Sequence, residues 1–226
     1  LVSPVKVVQT LFTVLFDPDF LKTVWYSAAR ILGGFFTALT LGTVLGWVAS
    51  RFWVVETLLR PITAVIKATP VASFIILVLL WFSGKNLSVI ISMLMVFPVI
   101  YMNVLEGIRS ADEELLEMAQ VFRLSVSKKL LYIYLPAVAP FFVSACSVSL
   151  GLCWKSGIAA EVIGTPDGSI GAVFYQAKIF LQTSELLAWT VVVVAVSVAF
   201  EKLFMFLLRL VLKKLKMEDV LNGKRA

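Results

Sequence analysis

The sequence predicts an all-α polytopic membrane protein. Three observations support this fold class: 60% of the residues are hydrophobic, the mean hydropathy is +0.97, and the basic residues lie at the edges of long apolar stretches. A soluble domain is usually about 45–50% apolar and has no core large enough to bury this excess. Lipid is therefore the expected solvent for most of the chain.

Five apolar stretches are long enough to be spanning helices, which need about 20 residues. They run approximately over residues 27–50, 61–82, 87–108, 136–163 and 185–212. Pro70 lies inside the second stretch and Pro98 inside the third. We expect kinks rather than breaks at both, because neighbouring helices can satisfy the carbonyl that proline leaves free.

Small residues form a stripe along one face of the first predicted span. They recur at every fourth position, at Gly34, Ala38, Gly42, Gly46 and Ser50. Such stripes let helix backbones approach closely in lipid. We expect packing within the chain rather than contact with a second copy.

Basic residues in the connections set the orientation of the spans. They follow the first span, lie between the third and fourth, and follow the fifth, at Arg51, Arg60, Arg109, Arg123, Lys128, Lys129, Lys213, Lys214 and Lys216. These regions alternate so that all are cytosolic. The predicted segments are residues 1–26, external or interfacial; residues 27–212, transmembrane, with a cytosolic loop at 109–135; and residues 213–226, a cytosolic tail.

The composition disfavours several classes of function. The chain has no histidine, the commonest general base and metal ligand, so an intramembrane enzyme lacks its usual parts. Cys146 and Cys153 lie on one helix face and are interpreted as small buried hydrophobic residues. An ion-driven secondary transporter would favour inverted repeats and midplane acids, which we do not find. The basic residues form no stripe with interleaved aromatics, so nucleic acid is not an expected partner.

The predicted cytosolic loop is charged and amphipathic. Ser110 and Glu113 form a capping-box pattern that predicts a helix start. Leu115, Ala119 and Phe122 would then share an apolar face. A second short helix is expected after Ser125, with a bend between the two and with Pro136 at the start of the next span. An ordinary helix at the lipid headgroups is the alternative interpretation.

The stretch "ELLEMAQVFRLSVSKKLLYIYLP" resembles the EAA loop of ABC importer permeases, whose pattern is E-A-A, three residues, G, nine residues, I, one residue, L-P. Glu117, Met118 and Ala119 take the first positions, Arg123 takes the glycine position, and the closing positions are Ile133, Leu135 and Pro136. Arginine does not favour the left-handed turn that glycine permits. We therefore expect the bend to be made at a neighbouring residue or in another way.

The resemblance extends over the chain through "IKATPVASFIILVLLWFSGKN", "WKSGIAAEVIG" and "SIGAVFYQAKIFLQTSELLAW". These segments are similar to the permeases that serve nitrate, sulfonates and taurine. The resemblance implies a type I importer transmembrane domain in a bacterial inner membrane. It also implies a sixth span before Leu1.

The resemblance further implies the partners. The chain has no P-loop motif and is expected to be non-catalytic and to bind no cofactor, with ATP and Mg²⁺ held by a separate ATPase. The implied assembly is two permeases, two ATPases and an external solute-binding protein. The ATPase would contact the predicted cytosolic loop. The apolar residues of the contact would be Leu115, Ala119 and Phe122, and its charged rim would be Glu114, Glu117 and Arg123.

Ionisable residues near the predicted spans leave alternatives open. Trp154, Lys155 and Glu161 either line the path of an anion or mark the outer end of the fourth span, which we expect near Lys155. Lys67 is expected to extend to the cytosolic interface. Residues 83–86 and 166–169 are outer turns that either contact the binding protein or only connect helices. The substrate and the choice between homodimer and heterodimer stay open, although the resemblance favours a homodimer.

Overall fold

The computed structural model describes residues 3–214, and these residues form helices joined by short connections. In chain order the α-helices are α1 (Pro4–Leu15), α2 (Phe20–Arg51), α3 (Trp53–Ala68), α4 (Val71–Leu79), α5 (Gly84–Arg109), α6 (Glu113–Val121), α7 (Val126–Lys129), α8 (Leu135–Gly164), α9 (Ile170–Ile179) and α10 (Thr183–Lys214). A π-helical turn at Leu130–Tyr134 joins α7 to α8 without a break.

The long helices confirm the predicted fold class. Within the described residues, four helical segments are apolar and long enough to cross a membrane: α2, α5, the continuous segment Val126–Gly164, and α10. The pair α3 and α4 makes a fifth span if it is counted as one. Helix α2 begins at Phe20, earlier than the predicted start at residue 27, and so extends into the segment that was expected to be external.

The second span is broken at Pro70, contrary to the prediction of a kink. Helix α3 ends at Ala68, helix α4 begins at Val71, and the two are bent by 105°. Thr69 is extended, as a residue before proline prefers. Pro98 behaves as predicted, because α5 continues through it.

Helices α2, α5 and α8 pack most extensively against one another and form the centre of the described chain. Their largest hydrophobic cluster includes Ile31 and Phe35 from α2, Val96 and Ile100 from α5, and Leu150 from α8, all fully buried. Cys146 and Cys153 lie in the same cluster as free thiols. The remaining helices surround this core, with α1 against α10 and α9 against α8 and α10.

The small-residue stripe of α2 lies against α5. A Cβ atom added at Gly34 would lie 2.4 Å from the Val89 carbonyl oxygen, and one at Gly42 would lie 3.0 Å from Ile100 Cβ. Ala38 and Gly46 are buried on the same face. Ser50 departs from the predicted stripe: it is half-buried, and its hydroxyl donates a hydrogen bond to the Trp47 carbonyl within α2.

The two ends of the bundle are joined by different polar contacts. At the predicted cytosolic end, Arg109 of α5 forms an ion pair with Glu56 of α3. At the other end, Arg30 Nε donates a hydrogen bond to the Lys85 carbonyl (2.8 Å), and Gly84 lies against Gly164. Residues 215–226 of the predicted tail, including Lys216, lie outside the described residues.

The contact between α2 and α5 predicts that alanine substitutions at two adjacent glycines differ in their effect on stability. We expect Gly34→Ala to lower the free energy of unfolding by about 1–3 kcal/mol, because its Cβ meets backbone that cannot move aside. Gly33→Ala is the matched control, since nothing lies within 4 Å of a Cβ at that position. Thermal unfolding of the purified proteins in detergent measures the difference, and equal melting temperatures for the two variants would contradict this packing.

Candidate functional site

The predicted cytosolic loop begins with a helix capped by aspartate. Asp112 is the N-cap of α6, and its carboxylate accepts a hydrogen bond of 2.9 Å from the Glu114 amide. The predicted capping box is therefore wrong: Ser110 ends α5 instead, and its hydroxyl donates to the Gly107 carbonyl. Glu113 and Glu114 lie in the first turn of α6, where negative charge is favourable.

Helix α6 has one face turned inward. Ala119 is fully buried against Ala111, beside Leu116 and Leu124. Ile133, from the π-helical turn before α8, belongs to the same cluster. Of the three apolar residues predicted to contact a partner, Ala119 is therefore not available, because it packs α6 against its own chain.

An exposed apolar stripe lies beside this inward face of α6. It carries Leu115, Met118, Val121 and Phe122, of which Val121 is 79% and Phe122 72% exposed. Side chains at this spacing form one stripe along a helix, the pattern used when a helix binds in a groove of a partner. We call these four residues the docking face.

The turn after α6 is made by Arg123 itself. Arg123 has a φ of 48°, in the left-handed region, although the sequence predicted that an arginine would shift the bend elsewhere. The Leu124 amide donates to the Ala119 carbonyl (2.9 Å), and the Arg123 amide donates to the Gln120 carbonyl (3.0 Å). This pair of hydrogen bonds is the Schellman ending of a helix, in which glycine is the usual residue at the Arg123 position.

The chain then passes directly into the membrane. Ser125 is extended at the N-cap of α7, as predicted, but its side chain makes no capping hydrogen bond. From Val126 to Gly164 the helix is continuous. Leu135 and Pro136 are half-buried in the first turn of α8. The docking face is thus attached through Ala119 and Ile133 to the start of a spanning helix.

Charge is divided across the loop. Its first helix carries only acidic residues and the segment after it only basic ones: Glu113, Glu114 and Glu117, followed by Arg123, Lys128 and Lys129. This arrangement surrounds the docking face with both signs and gives it a defined polarity.

The structure separates the three residues predicted near the end of the fourth span. Trp154 and Glu161 are buried inside the chain, whereas Lys155 is exposed. Helix α8 continues past Lys155 to Gly164, so the helix does not end where the fourth span is expected to leave the membrane. Glu161 is neither exposed nor paired with Lys155.

Glu161 instead joins three helices at the outer end of the bundle. The Ser27 hydroxyl of α2 donates to Glu161 Oε2 (2.6 Å), and the Gly171 amide of α9 donates to the same oxygen (3.3 Å). Ser27 also accepts a hydrogen bond of 2.9 Å from the Ile170 amide. The first amides of α9 are thus held by a carboxyl group of α8 and a hydroxyl of α2. The sequence alone did not identify Ser27, Ile170 or Gly171.

The first predicted outer turn contacts the end of α8, directly before the second. Gly84, in residues 83–86, lies against Gly164, which leads into residues 166–169. In the second turn the Ser169 hydroxyl accepts a hydrogen bond from the Ala172 amide and caps α9. The contact between Gly84 and Gly164 therefore brings the starts of the two turns close together.

The exposed side chain of Lys67 contacts α5. Its ammonium group is 3.6 Å from the sulfur of Met102, which precedes the cytosolic end of α5 by two helical turns. This contact joins α3 to α5, and the position of Lys67 at the cytosolic interface stays a prediction.

Comparison with known proteins shows a family match over most of the chain. The family described as "Binding-protein-dependent transport system inner membrane component" matches residues 38–217. The chain is 27% identical over 197 residues to the putative aliphatic sulfonates transport permease protein SsuC of Bacillus subtilis, covering 86% of this chain and 71% of the relative. It is also 27% identical over 204 residues to the taurine transport system permease protein TauC of Escherichia coli, covering 88% and 74%.

A solved structure shares the fold. The crystal structure of an amino acid ABC transporter with histidines superposes with a TM-score of 0.59 at 16% identity, covering 86% of this chain and 96% of that one. At this identity the likeness shows the fold alone.

The left-handed Arg123 predicts a stabilising substitution. We expect Arg123→Gly to stabilise the end of α6 by about 1 kcal/mol, because glycine adopts this conformation without steric cost. Gln120→Gly, inside the same helix, should destabilise it by about 1 kcal/mol. Hydrogen exchange of the Leu124 amide measures both effects, and a loss of protection in Arg123→Gly would contradict a left-handed turn at this residue.

The hydrogen bonds of the buried Glu161 predict that its role as an acceptor, more than its charge, stabilises the contact of α8 with α2 and α9. Glu161→Leu removes the acceptor for Ser27 and Gly171 and should cost about 2–4 kcal/mol. Glu161→Gln keeps a carbonyl acceptor of the same size and should cost about 1 kcal/mol or less. Thermal unfolding in detergent compares the two variants. An equal loss of stability in both would contradict the role of Glu161 as a hydrogen-bond acceptor.

Proposed function

Because the chain belongs to the family of binding-protein-dependent transport system inner membrane components, the permease subunits of ABC importers, we propose how it assembles and what it carries. The assembly comprises two permease copies, two cytosolic ATPases that bind ATP and Mg²⁺, and an external solute-binding protein, in a bacterial inner membrane. The permease itself catalyses no reaction and binds no cofactor.

The docking face carries this proposal. Leu115, Met118, Val121 and Phe122 form an exposed apolar stripe on the predicted cytosolic side, outside the spanning part of the chain. A contiguous apolar surface in water indicates a binding site for another protein. A groove on the ATPase that accepts this stripe would bury Phe122 and Val121 at its centre. Glu114, Glu117 and Arg123 would orient the contact from the rim.

The attachment of the docking face supports a coupling role. Ala119 packs with Ile133, so a movement of α6 acts on the first turns of the continuous helix Val126–Gly164. At about 1.5 Å per residue this helix is roughly 58 Å long. Near its far end, Glu161 holds α2 and α9. Closure of the ATPases would therefore tilt the core helices together and open the path alternately to each side.

The transported solute is a small molecule with an oxyanion group. The relatives SsuC and TauC are named for aliphatic sulfonates and for taurine, and both substrates carry a sulfonate. Nitrate and other small anions are alternatives with similar chemistry. Selection begins at the binding protein, for which the joined outer turns around Gly84 and Gly164 provide the contact surface.

Association with the ATPase tests the proposal. We expect Glu117→Arg combined with Phe122→Ala to weaken binding of the ATPase encoded beside the permease by about tenfold or more, since buried aromatic anchors dominate such contacts. The measurement is a quantitative pull-down from detergent.

A matched double variant serves as the control. Asp167→Arg combined with Phe180→Ala makes similar chemical changes at exposed positions of the opposite end and should leave binding unchanged. Unchanged ATPase binding in the docking-face variant would contradict the proposal and leave α6 as a helix of the lipid headgroup region.

A further inference from the structure

Two basic side chains of α3 line a cavity beside α5. The cavity has a volume of about 460 Å³ and is lined by Arg60, Thr63, Ala64, Lys67, Ala68 and Met102. Arg60 and Lys67 lie two turns apart on the same face of α3. Both side chains are exposed to the cavity rather than packed in the core.

The predicted orientation of the chain places the cavity in the cytosolic half of the membrane. The ion pair between Glu56 and Arg109 marks the cytosolic ends of α3 and α5. Met102 precedes Arg109 by two turns of α5, about 10 Å at the rise of an α-helix. The contact between Lys67 and Met102 places the ammonium group at that depth, where a charged group is costly unless it meets water or a counter-charge.

Neither cation has a carboxylate partner in the described part of the chain. Within residues 3–214, the salt bridge that forms is between Glu56 and Arg109, and it involves neither Arg60 nor Lys67. Glu106 lies one turn from Met102 but does not line the cavity. The carbonyl end of α3 offsets part of the charge of Lys67, yet it does not reach Arg60, two turns earlier. The open cavity therefore has net positive charge, which favours the binding of an anion.

We propose that Arg60 and Lys67 bind the oxyanion group of the transported solute as it leaves toward the cytosol. Both side chains are long and flexible and can converge on one sulfonate or nitrate group. The Thr63 hydroxyl is already used by the Leu59 and Arg60 carbonyls, so charge provides most of the attraction. Such a site binds weakly, as a transport pathway requires for release.

This inference rests on the proposed transport of an oxyanion solute. The phosphate of an anionic lipid has the same chemistry and is the other source of the ligand. The 105° bend after Ala68 favours the solute, because a broken helix with polar backbone at membrane depth is tolerated where it lines a cavity or is covered by protein.

Direct binding of anions tests the site. The probes are sodium ethanesulfonate and sodium nitrate, titrated calorimetrically into the permease with its ATPase in nanodiscs of phosphatidylcholine alone. We expect saturable binding of at least one anion by the wild type. Lys67→Gln and Arg60→Gln should each weaken that binding by about tenfold, whereas Lys67→Arg should stay within about threefold. The control Lys22→Gln, at the opposite end of the bundle, should have no effect.

Two outcomes would overturn the site. One is the absence of saturable anion binding by the wild type, and the other is equal binding by wild type and both glutamine variants. Native mass spectrometry with added phosphatidylglycerol identifies the lipid alternative: retention by the wild type and loss in Lys67→Gln, without binding of either anion, would assign the cavity to lipid. ATPase association is measured on the same samples, so failure of the assembly is recognised separately from failure of the anion site.

Discussion

The close contact of α2 with α5 is the constraint on which the rest of the structure depends. In lipid, helices gain little from the hydrophobic effect and associate through dispersion and hydrogen bonds, so backbones must approach closely. Gly34 and Gly42 permit this approach. Helix α8 then packs against the pair, and Gly157 allows it to reach Ile31 and Ser92. The position of every peripheral helix follows from these three.

The helix from Val126 to Gly164 connects the two surfaces at which partners bind in the proposed assembly. At its cytosolic start, Ile133 holds α6 and the docking face. Near its outer end, Glu161 holds α2 and α9 through hydrogen bonds. A continuous helix with a defined attachment at each end transmits displacement better than a chain of loops. In the proposed assembly it would be the physical route between ATP hydrolysis and the outer surface.

Two residues are in surroundings that are unusual for their residue type: one in its backbone conformation and the other in the position of its charge. Arg123 takes a left-handed turn better suited to glycine, and Lys67 places a cation beside the sulfur of Met102. In each case the surroundings determine the outcome. The Schellman hydrogen bonds and the burial of Ala119 hold the turn, while the cavity and the broken helix accommodate the lysine. Strain and uncompensated charge of this kind are expected where a protein performs its function.

The sequence by itself determined the fold class and the long apolar helices, because apolar length is a local property of the chain. It did not predict that Ala119 faces inward, that the second span breaks at Pro70, or that Glu161 is bonded to Ser27 of α2. Those features depend on contacts between residues far apart in the chain, and only the packing of α2, α5 and α8 decides which faces meet and which polar groups find partners.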